Sequence, residues 1–255
     1  MERAMTDLEQ SLPGTLFNHT LDAIISRFDL QEQLNPEGGP WLSFESQLPM
    51  VQGRVGCSRV FTGGPLFRLV SCSLTAAPMH LDSHMLFAFT PGVSAVPHFT
   101  LDSVKAGEHF AFHLDLIPRM DLGSNLVYMD EVFLPLTGVF EEARDMPGLA
   151  RAHLSPRQLA IMSPWMLAHR ADESAFRGIE ETVQAYLQHW FSVVESGISD
   201  NAFGGISGAA LQQRNLANKA MLFSPEVDPV WQRIEGLIGA DAVAAQRALL
   251  LGEDE

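Results

Sequence analysis

The chain has 255 residues, 46% hydrophobic and 18% charged, which is enough to bury one substantial core. A formal net charge of −15, with only 16 Lys and Arg spread along the sequence, argues against a nucleic-acid partner, because phosphate binding needs clustered basic residues. No window approaches the roughly 20 consecutive apolar residues of a membrane span, and the opening MERAMTDLEQSLPG is acidic where a signal peptide is apolar; the expected setting is cytoplasmic, or plastid-like in a eukaryote.

In chain order, Leu16, Ile24, Ile25 and Phe28 stand near helical spacing and predict a short amphipathic helix over 15–28, followed by a Gly/Pro-rich loop. From Arg54 to Leu116 come five short apolar runs: GRVGCSRVF, PLFRLVSCSLTA, HMLFAFTP, PHFTLDSV and EHFAFHLDLIP. The breaks between them, at Gly63-Gly64-Pro65, Pro78, Pro91-Gly92, Pro97 and Ala106-Gly107, are too short for crossover helices, so the sheet should be mainly antiparallel. Beyond Asp121 the pattern turns helical, with Asn125 to Arg144, Ser174 to Glu195 and two amphipathic stretches in Pro225 to Leu251. Strands followed by helices predict an α+β fold, a three-layer α/β/α sandwich with a central mainly antiparallel sheet in a single domain over 1–255. Ser199 to Gly208, SDNAFGGISG, reads as a mobile loop near a site or as a plain surface linker.

Much chemistry is absent. Cys57 and Cys72 lack paired spacing, which argues against a disulfide framework, a zinc site or an iron–sulfur cluster; both are expected to be buried small apolar residues. There is no GxGxxG or GxxxxGK[ST] for a nucleotide, no HExxH and no GxSxG. His80 and His84 have i,i+4 spacing, but beside Pro78 and a strand start that spacing does not make a metal site.

Two runs carry polar groups inside apolar strands. Alternation puts His98, Thr100 and Asp102 on one face of the first, and His113 with Asp115 on one face of the second. A carboxyl beside a Thr and a His facing a ligand is suited to proton delivery. Asp115 and Arg119 are expected to hold the strand end, or to pair with each other.

These runs also resemble a known family. Pro97-His98-Phe99-Thr100-Leu101-Asp102, then Leu114-Asp115-Leu116-Ile117-Pro118-Arg119-Met120-Asp121-Leu122, then Tyr128-Met129-Asp130-Glu131-Val132-Phe133, is similar to the central strands of the ferredoxin-dependent bilin reductases and of red chlorophyll catabolite reductase. Ser155-Pro156, Ser163-Pro164, Arg214 to Lys219, Asp228-Pro229-Val230-Trp231 and Leu237-Ile238-Gly239 continue the likeness. The resemblance implies a reductase of an open-chain tetrapyrrole, held between the sheet and the C-terminal helices. No bound cofactor or metal is implied; single electrons come from reduced ferredoxin and protons from a carboxylic acid on the sheet.

Asp102 falls on that acid's position, and beside Phe99, Leu101 and a large aromatic ligand it would lose hydration, which favours its protonated form. Vinyl-reducing members pair this Asp with an earlier His; counting back puts Leu86 there, and His84, two residues away, is the candidate substitute, read as lying on the same face as Asp102. That departure points toward red-chlorophyll-catabolite-like reduction. His98, Thr100 and His113 are candidates to line the pocket, and Arg214, Asn218 and Lys219 to meet propionates. An acidic chain and an acidic ferredoxin repel, so a local basic patch is expected, with Arg54, Arg59, Arg68 and Lys105 as candidates on one sheet edge. The alternative is a non-catalytic tetrapyrrole carrier of the same fold. Self-association is open, with Ser163 to Leu167 as a candidate contact.

Overall fold

The computed structural model describes residues 11–253. The segment read for signal-peptide character therefore lies largely outside the described residues. Helix α1 (Leu12–Phe28) starts where the Ser11 side chain accepts from the Gly14 amide and Pro13 presets the first turn. Its stripe of Leu16, Phe17, Leu21, Ile24 and Phe28 is buried against the sheet. Short strands β1 (Gln31–Gln33) and β2 (Leu42–Glu45) follow and both pair with β3 (Arg54–Gly63).

The five apolar runs form β3, β4 (Leu66–Ala76), β5 (Leu81–Phe89), β6 (His98–Ala106) and β7 (His109–Ile117), an antiparallel meander of chain neighbours. Its β3–β4 turn needs Gly64, whose φ is +53 and where a Cβ would stand 2.8 Å from the Phe28 carbonyl oxygen. Further on, β8 (Leu149–Arg151) and β9 (Leu167–Ala171) complete a sheet ordered β1-β3-β4-β5-β6-β7-β9-β8, with every pairing among the described residues antiparallel.

The helix expected over 125–144 is two helices, α2 (Leu126–Val132) and α3 (Thr137–Arg144), joined by one 3₁₀ turn at Leu134–Leu136. Pro135 accounts for the break: it lacks the N–H that a continuous helix would use. A single turn, α4 (Pro156–Leu159), precedes β9, and α5 (Glu173–Ser196) is the long helix foreseen from the sequence. Ser199 to Gly208 is not an open loop beside a site. It forms α6 (Asp200–Phe203), packs on α2, and ties down through Ser199, whose amide and hydroxyl both donate to Glu131. The chain ends in α7 (Gly208–Leu222), α8 (Val230–Ile238) and α9 (Ala240–Leu251).

Residues opposed across paired strands share a face. One face, including Leu86, Phe99, Leu101, Phe112 and Leu114, is sealed by α1 and α5, with Trp190 fully buried and donating its indole N–H to the Pro97 carbonyl at 2.9 Å. The other face, including Val70, Phe87, Phe89 and Ile117, lies under Leu222, Phe223, Trp231 and Leu249 of the C-terminal helices. Helices thus cover both faces, which is the three-layer α+β sandwich. Cys72 is buried, whereas Cys57 is only half-buried on β3; both are free thiols.

Candidate active site

The second face is not filled everywhere. Over β5, β6, β7 and β9 a cavity of about 360 Å³ remains between the sheet and the segments leading into α4, α8 and β9. Its floor is one continuous cross-strand row, Met85, Asp102, His113 and Ala168, set by the registers of four neighbouring strands. Its walls are mostly apolar: Phe87, Leu154, Met162, Met166, Leu222, Phe223 and Trp231. Asp228 and Arg233 bring further charge from the C-terminal side. A concave, mainly apolar space with a few convergent polar groups is the usual form of a small-molecule site.

The row's centre is an ion pair. Asp102 Oδ2 stands 3.5 Å from His113 Nδ1, close enough for attraction but longer than a formed hydrogen bond. The other ends of both side chains, Asp102 Oδ1 and His113 Nε2, are buried and have no hydrogen-bond partner among the described residues; the cavity-lining Trp231 Nε1 is in the same state. Buried polar atoms without partners are uncommon in folded proteins, and here five of them belong to four residues that border one cavity, Asp102, His113, Trp231 and His169. Burial opposes the charged form of His113, yet the nearby Asp102, Asp115 and Asp228 carboxylates outweigh it and hold its pKa above the ordinary histidine value. Asp228 is itself raised, first by burial and then by the charge of Asp102, although it accepts a hydrogen bond from the Val230 amide.

Behind the pair lies Asp115, on the same face as His113, opposite Thr100 and fully buried. Burial pushes its carboxyl up to about 7, against the lowering influence of His113 and of two hydrogen bonds from Ser163, through its amide at 2.8 Å and its hydroxyl. Thr100 Oγ1, across from it, has no partner among the described residues. Ser163 also borders a side cavity of about 330 Å³, which shares Ala152, Leu154, Met162, Met166, Ala168 and His169 with the first and extends past the exposed Arg151 and His153.

Of the residues singled out from sequence, Asp102 and His113 meet at the cavity, and Thr100 lies under them. His84 also borders the cavity, and the others lie elsewhere. His84 was expected beside Asp102, but its imidazole is on the opposite face, between Ser73 Oγ at 2.9 Å, Asp82 Oδ1 at 2.7 Å and the Phe17 ring. The register explains this: Met85, not His84 or Leu86, stands opposite Asp102. His98 is buried at the far end of the same face, accepting at Nδ1 from the Thr90 amide, with Nε2 beside Asn215 Oδ1. Burial, with Arg119 nearby, takes its pKa well below the ordinary value, so it stays neutral. Arg119 does not pair with Asp115; its guanidinium donates to Thr90 and to the Gly92 carbonyl. Arg214 donates to the Met120 carbonyl, Lys219 to the Leu251 carbonyl, and neither they nor Asn218 border the cavity.

The expected basic patch is also displaced. Arg59 pairs with Glu32, Arg68 is buried under Leu249 and Lys105 lies over the Phe110 ring, on three different strands. The exposed basic groups lie elsewhere, with Arg151 and His153 bordering the side cavity and Arg233 the main one. From Met146 to Ala171 the chain has no Asp or Glu but carries Arg151, Arg157 and Arg170 with His153 and His169. Those three arginines and Arg233 are exposed, and none forms an ion pair with a described carboxylate, whereas Arg27, Arg59, Arg144 and Arg177 all do. Sequence reading missed this island, together with Asp228, Trp231, Met162 and Met166. The acid-free run was visible as a signal; the approach of Asp228 to Asp102 was not.

Comparison with known proteins comes from structure alone. No protein-family model matches the chain and no curated protein matches its sequence. Among solved structures it is similar to phytochromobilin synthase from tomato in complex with biliverdin, with a TM-score of 0.73 and 16% sequence identity over 93% of this chain and 82% of that one. At that identity the likeness establishes the fold: the chain shares the three-layer architecture of that synthase.

Proposed function

We propose that this chain is a reductase of an open-chain tetrapyrrole, working in the manner of the ferredoxin-dependent bilin reductases. The observation that carries the reading is the Asp102–His113 pair on the sheet at the floor of an apolar cavity, in a fold similar to one that holds biliverdin. The pigment would lie between sheet and C-terminal helices, with its conjugated rings against Phe87, Phe223 and the three methionines, whose thioethers adapt to irregular flat ligands. Single electrons from reduced ferredoxin would make the bound pigment a radical and raise its basicity. Asp102 then protonates it, and His113 returns a proton to Asp102. An acidic ferredoxin approaching a chain of charge −15 needs a favourable local field, and exposed arginines such as Arg151 beside the side cavity and Arg233 beside the main one would supply it. Nothing in the chemistry of the site calls for a bound cofactor or a metal.

The test is anaerobic absorbance of the protein mixed with biliverdin, and separately with red chlorophyll catabolite, before and after a ferredoxin-reducing system is added. Bleaching or a new product band supports the reading and names the substrate class. A spectral shift on binding that never changes afterwards identifies a carrier, and no shift with either pigment rejects a tetrapyrrole ligand.

A further inference from the structure

A pigment filling the main cavity displaces the water there, yet each reduction step consumes a proton from Asp102. Protons must then arrive from behind. The side cavity reaches the rear of the site at Ser163, whose hydroxyl and amide both donate to the fully buried Asp115. Asp115 shares its face with His113, and His113 Nδ1 looks onto Asp102 Oδ2. No basic side chain pairs with Asp115 among the described residues, so an ion-pair role does not explain a carboxyl in the core.

We propose that Asp115 resupplies protons to Asp102, acting through His113, along a route that enters at the side cavity and passes Ser163. The inference rests on the tetrapyrrole-reductase reading of the main cavity. The transfers balance. Asp102 gives its proton to the reduced pigment; the His113 imidazolium gives the proton on Nδ1 to the Asp102 carboxylate; the imidazole, still protonated on Nε2, turns its free Nδ1 toward Asp115, takes a proton there from the Asp115 carboxylic acid, and turns back. Asp115 recovers its proton from the Ser163 hydroxyl as that hydroxyl takes one from water in the side cavity. No electron moves in these steps. The groups that set the Asp115 proton are His113 on its own strand and Ser163, with the buried Tyr186 hydroxyl of α5 also feeling its charge; His113 in turn feels Asp102, across from it, and Asp228 on the C-terminal side. A carboxyl that is half-loaded near neutral pH suits such a role.

Asp115→Asn keeps an oxygen for Ser163 and is nearly isosteric, so it separates proton supply from shape. With biliverdin and a reduced one-electron donor, the variant should keep the KM and the binding spectrum, lose about tenfold or more in kcat, lose the wild-type pH profile between pH 6 and 8, and recover rate when imidazole is added as an external proton donor. Wild-type kcat and pH profile in the variant would overturn the proposal. So would a loss of kcat with an unchanged pH profile and no rescue, which marks a structural role. Infrared spectra of the pigment-free protein test the coupling without any turnover. The Asp115 carboxyl band, identified by its loss in Asp115→Asn, should titrate near neutral pH and shift its midpoint in Asp102→Asn; a band indifferent to Asp102 rejects the relay even if the reductase reading stands. A wild-type protein that reduces no tetrapyrrole rejects the reductase reading separately.

Discussion

At the scale of single residues, the site depends on one carboxylate and one imidazole placed side by side. Asp102→Asn should leave biliverdin affinity within a few-fold while lowering turnover by about 100-fold or more, the usual worth of a positioned acid; full activity in that variant would remove Asp102 from the mechanism. His113 adds a pH signature. Its folded pKa is raised, so the imidazolium is fully present below the ordinary value near 6.5 and is lost as pH rises through the higher folded value. Turnover should therefore fall on the alkaline side, and His113→Gln should abolish that limb in a pH–rate profile. Asp102 was legible in sequence because strand alternation and motif pointed to the same position. His84 was misplaced for a reason of parity. The β5–β6 register sets an even-numbered residue opposite an odd-numbered one, Asp102 opposite Met85, so every even position on β5 is turned away from Asp102. Counting along the chain cannot supply that parity; the conformation of the connection from Thr90 to Pro97 does.

At the scale of elements, the five meander strands could be read because each is long enough to alternate and is bounded by Gly or Pro. β1, β2, β8 and β9 have three to five residues each, too few to show a period, yet β9 completes the cavity floor. The C-terminal helices were visible as amphipathic stretches, but their docking was not. Phe223 carries much of that docking: its ring meets Phe87 at 5.1 Å, Phe89 at 6.2 Å and Trp231 at 6.3 Å, all edge-on, and it is 1% exposed. Phe223→Ala should cost about 3–5 kcal/mol in urea unfolding, the range for a buried aromatic, and should also weaken pigment binding, since the same ring walls the cavity. A destabilisation under 1 kcal/mol would mean that the terminal helices are held by other contacts.

At the scale of the whole molecule, charge is distributed unevenly in a way that composition conceals. A net −15 keeps most acidic proteins at a distance, while the acid-free stretch from Met146 to Ala171, which borders the side cavity through Arg151 and His153, breaks that field locally. If an acidic ferredoxin docks there, its KM should rise steeply with added salt, and Arg157→Glu with Arg170→Glu should raise it further at low salt while leaving biliverdin binding unchanged. A salt-independent KM would point to another donor or another face.

The order of strands in the sheet also has a kinetic consequence. From β3 to β7 each strand pairs with its neighbour in the chain, so these contacts close short loops, whereas β9 reaches β7 only after the long excursion from Ile117 to Leu167. Loop closure over such a span is slower than hairpin formation. During refolding, amide protection in the meander should therefore appear first, and the capacity to bind pigment should return in a later phase, when β9 and the C-terminal helices have closed over a floor already laid.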